Sequence, residues 1–326
     1  MPYSFSNDDL SGLKRHLNDP DQNLHWPSVF VLPDWMQAWW QVFGCETEMM
    51  VRTLRDGEKV VGIAPLMVKD GQASLIGDPE VCDYLDFIIV PGLEENFFHH
   101  LLDDLKKNDI GHLDLKHLRP ESTVLTHLAG TAESRGYTVK ISKEALSLEI
   151  DLPAGWEEYL ASLSGKQRHE VRRKLRRLSE RGEIEYCFIS HPEEIPGAMD
   201  VFFRMFVESR QDKATFLTEK MKSFFISLAC AMAETGLLKL GLLKMEERPL
   251  SEIMCFDYDG CIYLYNSGYD PDYTSLSAGL ICKILAIKAS IEQGKRRFDF
   301  LKGSELYKYQ LGGQEVPLYH CQITLE

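Results

Sequence analysis

Residues 237–270 read LLKLGLLKMEERPLSEIMCFDYDGCIYLYNSGYD, and residues 271–302 continue PDYTSLSAGLICKILAIKASIEQGKRRFDFLK. The first stretch holds three runs rich in branched and aromatic residues, which predict three strands. Asp259-Gly260 between the last two is a tight hairpin turn. In the second stretch Leu280, Ile284, Ile287 and Ile291 recur at helical spacing, and Gly294 marks the stop. RFDFL then reads as a returning strand. A strand meander, a long helix and another strand make an α/β unit rather than an all-helical or all-β one.

The same grammar runs outward in both directions. N-terminal to the meander, EEIPGAMDVFFRMFVESR and TEKMKSFFISLACAMAETG predict helices, EIEYCFI a strand, and WEEYLASLSGKQRHEVRRKLRRLSERG one long helix. On its other side VPLYHCQITL predicts a final strand. In the first half LPDWMQAWWQVFG places Trp35, Trp39 and Phe43 on one helical face. Strands with turns at Asp56-Gly57 and Asp70-Gly71 follow, then a strand in DYLDFIIV, a helix in ENFFHHLLDDLKKN and a strand in GHLDLKHL. The expected architecture is mixed α/β, two copies of one design at 1–152 and 153–326, each a central mixed sheet flanked by helices. The repeat is architectural, with no residue-level self-similarity.

A chain of 326 residues suits two domains, and 44% hydrophobic residues give it a normal core. Its net charge of −14 argues against a protein that coats nucleic acid. That average conceals one exception. Between Lys166 and Arg181 eight basic side chains face two acidic ones, so the remainder of the chain stands near −20. Val171, Leu175 and Leu178 define the buried side of this basic helix, and Arg172, Arg173, Arg176 and Arg177 lie on or around the outer side. A nearly single-signed helix repels itself at i, i+4 pairs, which favours an anionic ligand or partner over simple solvation. The eight cysteines show no C-x-x-C pair and mostly sit in apolar runs, so they read as buried free thiols of a reducing compartment. The N-terminus has no apolar signal stretch and no window reaches the length of a membrane span, which makes a cytoplasmic location the expectation. No metal site is expected: His99 and His100 are adjacent and no H-E-x-x-H motif occurs.

Where the predicted helix opens after NSGYD, Ser275, Ser277 and Gly279 are small enough for close backbone approach. Helix N-termini present unpaired N–H groups to anions. Ordinary caps and turns would use the same residues.

Taken together, SGKQRHEVRRKLRRL, NSGYDPDYTSLSAGLI, the helix ending IEQG and FDFLKGSELYK resemble the acyltransferase domain of the GNAT superfamily, in its CelD-like group related to the FemAB family. PDWMQAWWQVFG, GIAPLMV and DYLDFI extend the resemblance over about residues 25–325. The resemblance implies two tandem GNAT-like domains. It also implies acyl transfer to an amine or hydroxyl of a small-molecule or peptide acceptor, with acyl-CoA as co-substrate and no metal. The glycine-rich loop usual for acetyl-CoA, R/Q-x-x-G-x-G/A, is absent, and SLSAG is a rough counterpart. FemAB relatives instead draw amino acids from aminoacyl-tRNA and often carry a helical arm that this chain lacks. An aminoacyl transferase using tRNA and a non-catalytic binding scaffold therefore stay open as alternatives.

On this reading Glu252, Asp86 and Tyr307 are the candidate catalytic groups. Lys166, Arg168, Ser275, Ser277, Gly279 and Lys308 are candidates for binding the donor. Asp83, Arg210 and Glu305 are candidates for the acceptor. Direct transfer from a thioester needs a base, an oriented acceptor and donors for the oxyanion, but no protein nucleophile.

Overall fold

The computed structural model describes residues 3–78 and 80–325, which divide into two units, Met1–Leu146 with Val316–Glu326, and Ser147–Glu315. In the first unit β1 (Tyr3–Asp8), α1 (Leu10–Leu17) and α2 (Pro33–Phe43) precede β2 (Glu48–Asp56), β3 (Lys59–Lys69) and β4 (Gln72–Leu75). Then come β5 (Ile88–Ile89), α3 (Glu94–Lys107), β6 (His112–Leu118), α4 (Ala129–Ser134) and β7 (Thr138–Asp151). β1, β2, β3 and β4 pair antiparallel in turn, and β4 pairs parallel with β6. Trp35 and Trp39 are buried as the helical spacing predicts, while Phe43 is half-buried with its ring 5.8 Å from that of Trp39.

Most of the strand expected in DYLDFIIV is a loop, and only Ile88–Ile89 pairs with β3. The reason is local. Asp86 accepts hydrogen bonds from the Thr123 N–H (2.7 Å), the Thr123 hydroxyl (2.6 Å) and the Phe87 N–H (2.9 Å), which turns the chain at that point.

The second unit takes residues 147–151 of β7 and continues with α5 (Trp156–Ser162), α6 (Gly165–Ser179), β8 (Ile184–Ile189), α7 (Ile195–Ser209), α8 (Gln211–Phe216) and α9 (Glu219–Glu234). β9 (Leu238–Met245), β10 (Arg248–Tyr258), β11 (Cys261–Tyr269), α10 (Ala278–Glu292), β12 (Arg297–Lys302), α11 (Leu306–Gln310) and β13 (Gln314–Thr324) complete the chain. Residues 147–151 pair antiparallel with β12, β12 pairs parallel with β11, and β11, β10, β9 and β8 follow antiparallel. From Val316 onward the last strand belongs to the first unit, where β13 pairs with β6.

Helices cover both faces of the second sheet, so β10 is buried without a break from Leu250 to Phe256. α10 packs on the face that carries Ile253, Cys255 and Leu264. α7 and α9 cover the face that carries Phe256 and Tyr265, whose ring lies 5.9 Å from Phe225 of α9. Ile281, Ile284 and Ile287 of α10 are fully enclosed, and each contributes about 1.5–3 kcal/mol of apolar burial.

The helix expected over 156–182 is two helices. Ser164 interrupts it with a reciprocal cap: its hydroxyl accepts from the Gln167 N–H (3.3 Å), and Gln167 Oε1 accepts from the Ser164 N–H (2.8 Å). Such caps contribute about 1 kcal/mol. All eight cysteines are free thiols. Five are buried, but Cys45 and Cys230 are exposed, contrary to the uniform burial the apolar runs predict.

Candidate functional site

β11 and β12 pair at Cys261–Arg297, Ile262–Phe298 and Tyr263–Asp299 and then part, although β11 runs on to Tyr269 and β12 to Lys302. A bulge accounts for the parting. Met254 faces Asn266 and Cys255 faces Leu264, so Tyr265 is an extra residue on β11 and the strand bends there. Past the bend, Gly268 lets α7 lie directly on the strand. A Cβ there would stand 2.5 Å from the Phe206 backbone nitrogen and 2.6 Å from the Met205 carbonyl carbon. Gly268→Ala is therefore expected to destabilise the second unit by about 1–3 kcal/mol, because backbone cannot rotate away as a side chain can. Urea melts of the two proteins check this, and coincident midpoints would refute the close approach.

α10 begins beside the parted strands. Its first turn has no side-chain cap, and Ser277, which precedes it, is left-handed at φ 61°. Lys174 of α6 donates to the Ser277 hydroxyl (2.7 Å) while pairing with Glu170 at 3.4 Å. A Cβ at Gly279 would stand 3.0 Å from the Tyr269 ring, so packing alone already favours a residue this small.

Two lysines converge on Ser267, within the parted length of β11. Lys283 of α10, 6% exposed, donates to the Ser267 hydroxyl and to the Gly279 carbonyl, both at 3.1 Å, and stands 5.0 Å above the Tyr307 ring. Lys213 of α8 donates to the Ser267 carbonyl and lies 4.7 Å over the Phe206 ring. Burial first, and Lys283's charge second, bring the Lys213 ammonium down to about 8. Lys283 is also lowered, mainly by burial. Sequence reading missed both lysines and also Lys174, which is hidden in the basic run.

The end of β12 is held by a different lysine. Leu301 sits at φ 61°, a left-handed conformation unfavourable for a branched side chain. Asp299 accepts its N–H at 2.7 Å. Lys308 Nζ donates to the carbonyls of Leu301 (2.9 Å), Lys302 (2.7 Å) and Gly303 (3.0 Å) and pairs with Glu305 at 2.9 Å. Lys308 is 2% exposed and its ammonium is fully engaged, so it shapes the turn and has no donor left for a phosphate. This corrects its expected role as a donor-binding residue. Tyr307 stays at the site, between Lys283 and the Phe300 ring 6.1 Å away. Burial, then the Glu305 charge, raise its phenol above the usual range.

Glu252 of β10 is fully enclosed, and neither carboxylate oxygen meets a hydrogen-bond partner among the described residues. Burial pushes its carboxyl up to about 8, so it is a neutral acid at pH 7. Sealed in this way it has no reach to an acceptor, and its expected role as base is not supported by its surroundings. Asp86 belongs to the first unit. Its hydrogen bonds to Thr123 and Phe87 make it a chain-turning group, and burial lifts it to about 6. Asp83 lies half-buried in the loop before Asp86.

The other expected binding residues disperse. Arg168 points its guanidinium at the carbonyls of Leu160 and Leu163, both at 3.4 Å, closing the end of α5. Arg210 is exposed and pairs with Asp212 at 2.7 Å. Lys166 and Ser275 are exposed. Along α6, Arg172 pairs with Glu157, Arg173 with Glu170 and Arg176 with Glu180, so the helix is less single-signed than its sequence. Among the described residues no three His, Cys, Asp or Glu side chains are placed to hold a metal, and no helix is long and apolar enough to cross a membrane.

Residues 165–309, which contain α6, the parted strands, α10 and the Lys308 turn, match the sequence family described as an acetyltransferase (GNAT) domain. That stretch carries a GNAT-type domain. Among solved structures the whole chain is similar in fold to FemX, with 12% identity, 97% of this chain and 96% of that one covered, and a TM-score of 0.66. The C-terminal domain of a putative lysylphosphatidylglycerol synthetase from Agrobacterium fabrum is also similar, at 10% identity, 86% and 84% coverage and a TM-score of 0.56. L-PGS from Bacillus licheniformis matches at 12% identity, 89% and 91% coverage and a TM-score of 0.56. No curated protein matches the sequence.

Proposed function

We propose that the GNAT domain transfers an acyl group from acyl-CoA to an amine or hydroxyl of a small-molecule or peptide acceptor. One observation carries this reading: β11 and β12 run parallel, part after three pairs, and leave α10 opening beside the gap without a side-chain cap. Ligands of open α/β sheets occupy crevices outside the carboxyl ends of parallel strands. The α10 N-terminus, with Lys174 beside it, suits the phosphates of the donor. The main chain of β11 beyond Tyr263 offers its donors and acceptors to the donor's extended arm, as a sheet edge does to an added strand.

In this reaction the acceptor's lone pair attacks the thioester carbonyl, the new C–N or C–O bond forms as the C–S bond breaks, and the leaving thiolate takes up a proton. The proton the acceptor gives up passes to solvent, from which the group that protonated the thiolate is restored. Tyr307, kept protonated by burial and by Glu305, supplies the thiolate's proton at the end of β12.

A second reading replaces the thioester by an aminoacyl ester. It draws support from the fold shared with FemX and with proteins named as lysylphosphatidylglycerol synthetases. The test is to incubate the full chain with acetyl-CoA and a panel of amines and follow release of free thiol. Amine-dependent thiol release is expected. No thiol with any acyl-CoA, together with consumption of an aminoacyl-tRNA, would move the assignment to the second reading, and inertness towards both donors would remove transfer altogether.

A further inference from the structure

Lys308, Lys213 and Lys283 of the second unit are partnered in different ways. Lys308 has three carbonyls and a carboxylate around its ammonium. Lys213 has one carbonyl, and Lys283 has one hydroxyl and one carbonyl. An ammonium carries three N–H donors. Two on Lys213 and one on Lys283 therefore lack an acceptor among the described residues. Neither lysine hydrogen-bonds a carboxylate: Glu305 is held by Lys308 and Asp212 by Arg210. Two like charges thus meet at one residue of β11, each with an aromatic ring against it, in surroundings that disfavour charge.

We infer that Lys213 and Lys283 form an oxyanion subsite, which takes a carboxylate or phosphate carried by the substrate that enters the gap between β11 and β12. The inference rests on the transfer reading for its biological meaning but not for its physical basis. An oxyanion between the two ammonium groups accepts the three remaining N–H donors and cancels their mutual repulsion. Charge-assisted bonds of this kind are among the strongest available to a side chain. The subsite also differs in kind from the α10 N-terminus. There the donors are backbone N–H groups with Lys174 beside them, whereas at Ser267 they are two side chains from α8 and α10. The substrate class that follows is one bearing an acidic group, such as an amino acid, an acidic peptide or a phosphorylated small molecule, rather than a simple polyamine.

Reductive methylation of the intact protein with formaldehyde tests this without any variant, because only a neutral lysine reacts. Rates at Lys213, Lys283 and the exposed Lys59 are read by mass spectrometry. The buffers contain sodium chloride, inorganic phosphate, pyrophosphate or acetate at equal ionic strength. Phosphate or acetate is expected to slow Lys213 and Lys283 about tenfold relative to Lys59, the effect of a one-unit rise in their pKa. Protection by phosphate and pyrophosphate but not acetate identifies a phosphate-bearing substrate, and the reverse identifies a carboxylate. In Lys213→Met, protection of Lys283 should disappear. Unchanged rates in all three anions would overturn the subsite. Protection without thiol release from acyl-CoA would sink the acyl-CoA reading and leave the subsite standing, and thiol release without protection would do the opposite.

Discussion

Glu252→Gln is expected to raise the unfolding temperature of the protein far more at pH 8 than at pH 5. Burial moves the folded-state pKa of Glu252 up from 4.5 to about 8. Below pH 4.5 the carboxyl is protonated in both folded and unfolded chains. Between pH 4.5 and 8 the unfolded chain releases the proton and the folded chain keeps it, so stability falls as pH rises through this window. Above pH 8 the loss is complete. Three and a half pKa units correspond to about 5 kcal/mol. Glutamine does not titrate, so the difference between the two proteins grows across the window, to about 10 °C or more at 2–4 °C per kcal/mol. The sealed position also predicts that the variant keeps its transfer activity. Thermal melts of both proteins from pH 5 to 8 provide the check. Parallel curves would show that Glu252 is solvated or paired, and loss of activity with unchanged melts would restore it as a base.

Lys308→Met is expected to cost about 3–5 kcal/mol. The Lys308 ammonium is the shared donor to three successive carbonyls that end β12, and Leu301 among them is held in a left-handed conformation. Each buried carbonyl left without a donor costs about 1–3 kcal/mol, and relaxation of the turn recovers part of that sum. The left-handed Leu301 stores a further 1–2 kcal/mol or so that this clamp opposes. The denaturant midpoint should fall clearly, and activity should fall with it because the turn borders the gap. A variant as stable as the natural protein but weakened in donor binding would contradict the clamp and return Lys308 to the role its sequence position implies.

What was legible in the sequence was periodic or local. Alternation and the Asp259-Gly260 turn gave the meander, helical spacing gave α10, and the order of loose motifs gave the likeness to a GNAT domain. The turn between β9 and β10 carries no such signal, since Glu246 and Glu247 are both left-handed, at φ 51° and 65°, without glycine or asparagine. The break at Ser164 was written in the sequence as S-x-x-Q but lay inside a continuous helical pattern. The site was mostly hidden, because its lysines are brought together by tertiary packing. Lys213 and Lys283 lie on different helices and meet only through Ser267, and neither is part of a charged run. Conversely, the conspicuous basic run is largely met by nearby glutamates and by carbonyls of α5, and only Lys174 reaches the start of α10. Buried carboxylates were equally ambiguous. Asp86 is surrounded by donors and Glu252 by none, a contrast that residue type and spacing do not encode.

The proposed place of the donor is the gap between β11 and β12, with its phosphates at the start of α10. Amide hydrogen exchange of the full chain, with and without acetyl-CoA, measures this directly. Slowed exchange is expected in residues 264–283 and 300–308, with α3 and β6 unchanged. Slowed exchange confined to other segments, or none at donor concentrations that support thiol release, would contradict it.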